Sequence, residues 1–99
     1  MSSREIDPKV LALVADGAIR FSGKAKAKLF ELGLLEADLQ HSILNGVLLK
    51  KERDAAGESS WTYTIGGPAI SGKKVYSCGK ICKEDGDHIY FFITIEWLD

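Results

Sequence analysis

Two stretches of alternating residues, 74–82 and 88–97, flank the short polar connection KEDGD, and a chain that ends this way must fold around a β-hairpin. Side chains along a strand point to opposite faces in turn, so each stretch divides into two sets. In the second, Ile89, Phe91, Ile93, Ile95 and Trp97 form one set, and His88, Tyr90, Phe92, Thr94 and Glu96 the other. In the first, Val75, Ser77, Gly79 and Ile81 alternate with Lys74, Tyr76, Cys78, Lys80 and Cys82. A turn symmetric about Asp85 sets Cys82 opposite His88, Lys80 opposite Tyr90, Cys78 opposite Phe92, Tyr76 opposite Thr94 and Lys74 opposite Glu96. The even positions then share one face, which is polar and reactive. The apolar odd set meets the rest of the chain, and burying its large side chains contributes on the order of 7–15 kcal/mol before entropy is counted. A slip of one residue in this register would exchange the two faces.

Upstream the period is helical. Asp7-Pro8 combines an N-cap acceptor with a proline whose missing N–H is harmless there, and Val10, Leu11, Leu13 and Val14 follow at helical spacing up to Gly17. Ser22 opens a second helix striped by Ala25, Leu29 and Leu32 and ended by Gly33. A third covers about 36–44, with Leu39 and Ile43 one turn apart, and stops at Asn45-Gly46. The period then shortens: VLLKKE (47–52) reads as a strand, DAAGESS (54–60) as a polar turn, and WTYTI (61–65) as a second strand. Gly66-Gly67-Pro68 and Ser71-Gly72 mark a loop before the final hairpin. The expected fold is α+β, a single domain over 1–99: three N-terminal helices packed on one face of a C-terminal four-stranded antiparallel sheet.

Composition sets limits on function. A net charge of −1 and a pI near 6.1 argue against the strongly basic surface of a duplex-DNA binder. Arg20, Lys24, Lys26 and Lys28 stand together without an acid, as do Lys73, Lys74, Lys80 and Lys83. Each run reads as solvated lysines or as a local basic patch. No apolar run reaches the roughly 18–20 residues that span a bilayer, and MSSREIDPK carries no apolar signal core. A cytoplasmic protein with no membrane partner is expected, its two cysteines reduced.

Cys78, Cys82 and His88 invite a zinc reading, but four strand residues separate the thiols by roughly 13 Å, too far for one metal ion or a disulfide. No metal site is expected. Cys82 opposite His88 leaves a thiolate–imidazolium pair open as a minor alternative. No Ser-His-Asp arrangement, phosphate-binding loop or dinucleotide fingerprint is present, and no small-molecule cofactor is implied. What remains on the even face is Lys74, Tyr76, Lys80, His88, Tyr90 and Phe92. Lysines hold phosphate, aromatic rings stack on unpaired bases, and tyrosine or histidine can move protons. The structural alternative is that Tyr90 and Phe92 cover a second layer or a partner while the lysines are solvated.

Two segments carry a family resemblance. VLALVADGAIRFSGKAKAKLFELGLLEADLQHSIL resembles the N-terminal helices of MqsR-type toxins, and GKKVYSCGKICKEDGDHIYFFITIEW resembles their "VY…K-I" strand with its apolar closing strand. The chain also resembles an uncharacterised small-domain family related to these toxins, and the two share a RelE-like fold. The resemblance implies a metal-free mRNA interferase that cleaves single-stranded RNA by 2′-OH attack. Its implied partners are RNA, ribosome-bound mRNA included, and a cognate antitoxin protein. The family's motif tyrosine falls on Tyr76, its following lysine on Lys80 with a two-residue offset, and its first-strand lysine on Lys50 or Lys51. Thr62 stands near the family's glutamine, and the acidic pI departs from the basic character usual in the group. Tyr76, Lys80 and His88 are therefore the catalytic candidates, with Lys50, Lys74, Tyr90 and Phe92 binding phosphate or base. The rival expectation is a non-catalytic protein-binding module on the same fold, with Tyr90, Phe92 and Trp61 as its interface.

Overall fold

Each helix begins where a side chain can take up backbone donors that the first turn leaves free. In the computed structural model, which describes residues 5–53 and 61–98, α1 spans Pro8–Ala15 and the Asp7 carboxylate accepts the Lys9 N–H at 2.9 Å. Helix α2 spans Gly23–Leu32 behind Ser22, whose hydroxyl oxygen accepts the Ala25 N–H at 3.0 Å. Helix α3 spans Glu36–Leu44, and Asp38 reaches back to accept the Leu35 N–H at 2.9 Å. The second Asp38 oxygen accepts the Ile70 N–H at 3.0 Å, tying the loop before the hairpin to this helix.

Between α1 and α2 the chain makes a short strand, β1 (Ile19–Phe21), which the alternating burial of Ile19 and Phe21 around exposed Arg20 explains. The other strands are β2 (Val47–Arg53), β3 (Trp61–Pro68), β4 (Lys74–Glu84) and β5 (Asp87–Trp97). They form one sheet in the order β1-β5-β4-β3-β2, with β1 parallel to β5 and the other neighbours antiparallel. The expected four-stranded antiparallel sheet beneath three leading helices is thus corrected to a five-stranded mixed sheet, because a strand between the first two helices is threaded onto the hairpin's outer edge. The α+β class stands. The polar turn expected at 54–60 lies outside the described residues.

Val10 and Val14 of α1, Ala25 and Leu29 of α2, and Leu39 and Ile43 of α3 form one buried cluster with Tyr63, Ile65, Val75, Tyr90, Phe92 and Ile95 of the sheet. His41 Nδ1–H donates to the Pro68 carbonyl at 2.8 Å, so this histidine fastens α3 to the end of β3.

The hairpin register departs from the symmetric expectation at two points. Glu84 pairs with Asp87 across a two-residue turn in which Asp85 and Gly86 both have positive φ, 52° and 86°. That is the tight mirror-image turn that matches strand twist, and Asp-Gly is its preferred sequence. It sets Lys80 opposite Phe91 and Ile81 opposite Tyr90. The register then shifts between Cys78 and Gly79: Gly79 pairs with Phe92 and Cys78 with Thr94, leaving Ile93 as an extra residue in β5. A bulge of this kind turns the strand over by one residue.

The consequence is that Tyr90 and Phe92 are core residues with no exposed surface. Phe92 stacks on Phe21 with ring centroids 4.5 Å apart, and Tyr90 meets Phe92 edge-on at 5.1 Å. Gly79 leaves the room for this: a Cβ there would come within 2.7 Å of the Tyr90 ring and hydroxyl. The expectation that Tyr90 and Phe92 stand on the reactive face is therefore corrected, since the even set of β5 points outward only after the bulge.

Candidate functional site

The sheet face away from the buried cluster remains partly exposed, and the register lays its residues out in rows. Nearest the hairpin turn, Arg20, Phe91, Lys80, Thr62 and Glu52 lie side by side across all five strands. The next row runs Thr94, Cys78, Thr64 and Lys50. Beyond it come Glu96, Tyr76 and Gly66. Lys74 follows on β4 beside Pro68. The central strand β4 thus presents Lys74, Tyr76, Cys78, Lys80 and Cys82 in line.

The charges on this face are largely tethered. Arg20 Nε sits 2.9 Å from Glu84 Oε1, and Lys50 Nζ sits 3.3 Å from Glu52 Oε2. Glu96 is engaged by Lys28 of α2 at 2.9 Å, and this hydrogen bond is the main reason the Lys28 amine is held above its ordinary range. Such exposed pairs are worth little energetically, and each cation can exchange its carboxylate for a phosphate at small cost.

Of the seven residues expected at a site, four reach this face: Lys50, Lys74, Tyr76 and Lys80. Tyr90 and Phe92 are in the core. His88 is exposed, but it faces Lys83 in the uninterrupted register that carries Tyr90 and Phe92 inward, so its side chain belongs to the opposite side of the sheet from Tyr76 and Lys80. The Cys82–His88 pairing fails with it, because Cys82 faces Ile89. Cys78 and Cys82 are both free thiols, half-buried. Among the described residues no three His, Cys, Asp or Glu side chains gather as a metal would require.

Two residues that sequence reasoning missed join the face. Phe91 takes the place assigned to Tyr90, half-buried and directly beside Lys80. Arg20 arrives with β1 and lies beside Phe91. The Asp-Gly turn was the available signal for Phe91. For Arg20 the signal was the apolar-polar-apolar triplet Ile19-Arg20-Phe21, too short to stand out between two helices.

Geometry limits what the face can do. Tyr76 and Lys80 are four strand residues apart, roughly 13 Å along β4. A phosphate reached by both must therefore lie above Cys78 and Thr94, with the two side chains leaning together. Tyr90 contributes no reactive group here: burial, and secondarily Cys78 and Tyr63, push its phenol far above the ordinary tyrosine range.

The chain matches no family model, no curated protein and no solved structure.

Proposed function

We propose that the chain binds single-stranded RNA across the open face of its sheet and cleaves it, as an mRNA interferase held silent by an antitoxin protein. The observation that carries the reading is the outward row on the central strand, Lys74, Tyr76 and Lys80, flanked by Phe91 and Arg20 on one side and Lys50 on the other. Phe91 and Tyr76 offer rings on which unpaired bases stack, and the surrounding cations follow the backbone. In the cleavage step the ribose 2′-oxygen attacks the adjacent phosphorus and the bond from phosphorus to the 5′-oxygen breaks. The products are a 2′,3′-cyclic phosphate and a 5′-hydroxyl. Tyr76 supplies the proton that the departing 5′-oxygen needs, Lys80 stabilises the charge on the pentavalent phosphate, and the 2′-OH proton passes to water. His88 takes no part, since it lies on the other side of the sheet.

The test is incubation of purified protein with mRNA, with and without ribosomes, alongside growth on induction. Tyr76→Phe and Lys80→Ala should each lower cleavage by about 10²-fold or more, and His88→Ala should leave it unchanged. Intact mRNA under both conditions, with no slowing of growth, would end this reading. The rival protein-binding module has lost two of its three aromatic contacts, because Tyr90 and Phe92 are buried.

A further inference from the structure

Among the described residues, no strand lies beyond the outer edge of β2. It is the last strand of the sheet, and all its residues except Leu48 are exposed. Among the described residues, β3 is its only partner, so one row of backbone N–H and C=O groups faces outward. Such an edge is a ready template for a further strand.

Its two ends differ in chemistry. At the start, Leu44, Val47 and Leu49 are 43, 45 and 42% exposed, a contiguous apolar patch. Val47 also lines two hollows. One, of about 180 Å³, lies against Leu49, Gly66 and Leu98. The other, of about 480 Å³, lies against Leu11, Ile43 and Leu44. A strand laid along β2 would send successive side chains to opposite faces, one toward each hollow.

At the far end the edge is cationic. Lys51 and Arg53 both stand over the exposed Trp61 ring, at 4.8 and 5.3 Å from its centroid. Neither forms an ion pair with a described carboxylate, whereas Lys50 is neutralised by Glu52.

We infer that β2 is a strand-addition site for an extended acidic peptide segment, its carboxylates meeting Lys51 and Arg53 and its apolar residues covering Val47 and Leu49. The charge pattern chooses this occupant over a second copy of the chain. In a two-fold antiparallel pairing, any register centred from Lys50 to Glu52 sets two cations opposite each other, and any centred from Leu48 to Leu49 leaves Lys51 and Arg53 with no carboxylate opposite. The apolar half and the peptide-spaced edge also favour a polypeptide over RNA. This inference does not depend on the RNA reading, which uses the sheet's open face.

The experiment uses the full chain and a fluorescein-labelled heptapeptide, Glu-Thr-Glu-Glu-Val-Ile-Val. Fluorescence anisotropy should show saturable binding, and amide resonances of residues 47–53 should shift. The double variant Lys51→Glu/Arg53→Glu should weaken binding about tenfold and instead prefer Lys-Thr-Lys-Lys-Val-Ile-Val. The same peptide swap on the unaltered protein should weaken binding and gives the charge test even if the double variant does not fold. Equal binding by the first heptapeptide methylated at every backbone nitrogen, which cannot donate to an edge in any register, would overturn the proposal as a loose charge contact. So would displacement of the peptide by oligouridine with shifts at the same amides, or sedimentation as a dimer that closes the edge with a second copy.

Discussion

On the turn side of Ile93, strand β5 directs Tyr90 and Phe92 into the core and leaves Phe91 outside; beyond it, Ile95 is buried and Thr94 and Glu96 lie outside. The two halves have the same backbone and the same partner strand, yet opposite parity. One extra residue separates them, and it is held in place from a distance. The Ser22 hydroxyl donates to the Ile93 carbonyl at 2.9 Å and the Ser22 N–H donates to the Phe92 carbonyl at 3.0 Å. The serine that caps α2 therefore also takes up backbone groups at the bulge. Parity belongs to a segment between bulges, not to a whole strand, and here it decides which aromatic rings are available to a ligand.

The largest test of this contrast is a pair of truncations one residue apart. Phe92→Ala should cost about 3–5 kcal/mol of unfolding free energy, since it empties a stacked and fully buried ring site. Phe91→Ala should cost about 1 kcal/mol or less, while weakening RNA binding if Phe91 is a stacking ring. Denaturant unfolding of both variants decides the matter, and equal or inverted losses would mean that the register is wrong.

Next in size is Gly79→Ala. The added methyl would press into the Tyr90 ring, and overpacking of this kind costs about 1–3 kcal/mol. Combined with Tyr90→Leu, the same substitution should cost far less than alone, because the crowding ring is gone. A double-mutant cycle with no coupling would show that Gly79 and Tyr90 do not share the space.

The helices were legible because their signals are local. Asp7-Pro8, Ser22 and Gly33 mark helix ends by chemistry that acts within one turn. The final hairpin was legible for the same reason. The parity of β5 was not, because IYFFI is apolar on both faces and hides the residue at which the faces exchange. Asp85-Gly86 did carry the turn type, and the register near the turn follows from it. The bulge answers to Ser22, seventy-one residues away in sequence, and to the bare Cα of Gly79. Strand β1 was missed because three residues give too little alternation to outweigh the helices around them. The candidate site inherits these limits: Lys74, Tyr76 and Lys80 were placed by simple alternation on β4, whereas Phe91 depends on the two-residue turn and Arg20 on β1.

Ser22→Ala tests the tether between the halves. It removes a helix cap and leaves the Ile93 carbonyl without its donor, for a combined loss of about 1–2 kcal/mol. Hydrogen exchange should quicken together in the first turn of α2 and around Ile93. Faster exchange in the helix alone would show that the bulge stands without the serine.

The smallest effect has the opposite sign. The Tyr90 hydroxyl is buried without a hydrogen-bond partner among the described residues, while its ring packs edge-on against Phe92. Tyr90→Phe keeps the ring and removes an unsatisfied polar atom, so stability near neutral pH should rise by about 1 kcal/mol. The pH dependence follows from the upward shift that burial imposes on this phenol. Below pH of about 10, the ordinary tyrosine value, Tyr90 is protonated in both the folded and the unfolded chain and adds no slope. Above it the unfolded chain loses the proton first, the folded chain binds more protons, and stability falls as pH rises. Tyr63, raised by burial and by Asp7, contributes to the same decline. Tyr90→Phe should therefore flatten the alkaline decline without abolishing it, and leave the curve below pH of about 10 parallel to that of the parent. A variant that is less stable at neutral pH, with an unchanged alkaline slope, would show that the hydroxyl is satisfied in solution and that the turn-side half of β5 is more open than its packing indicates.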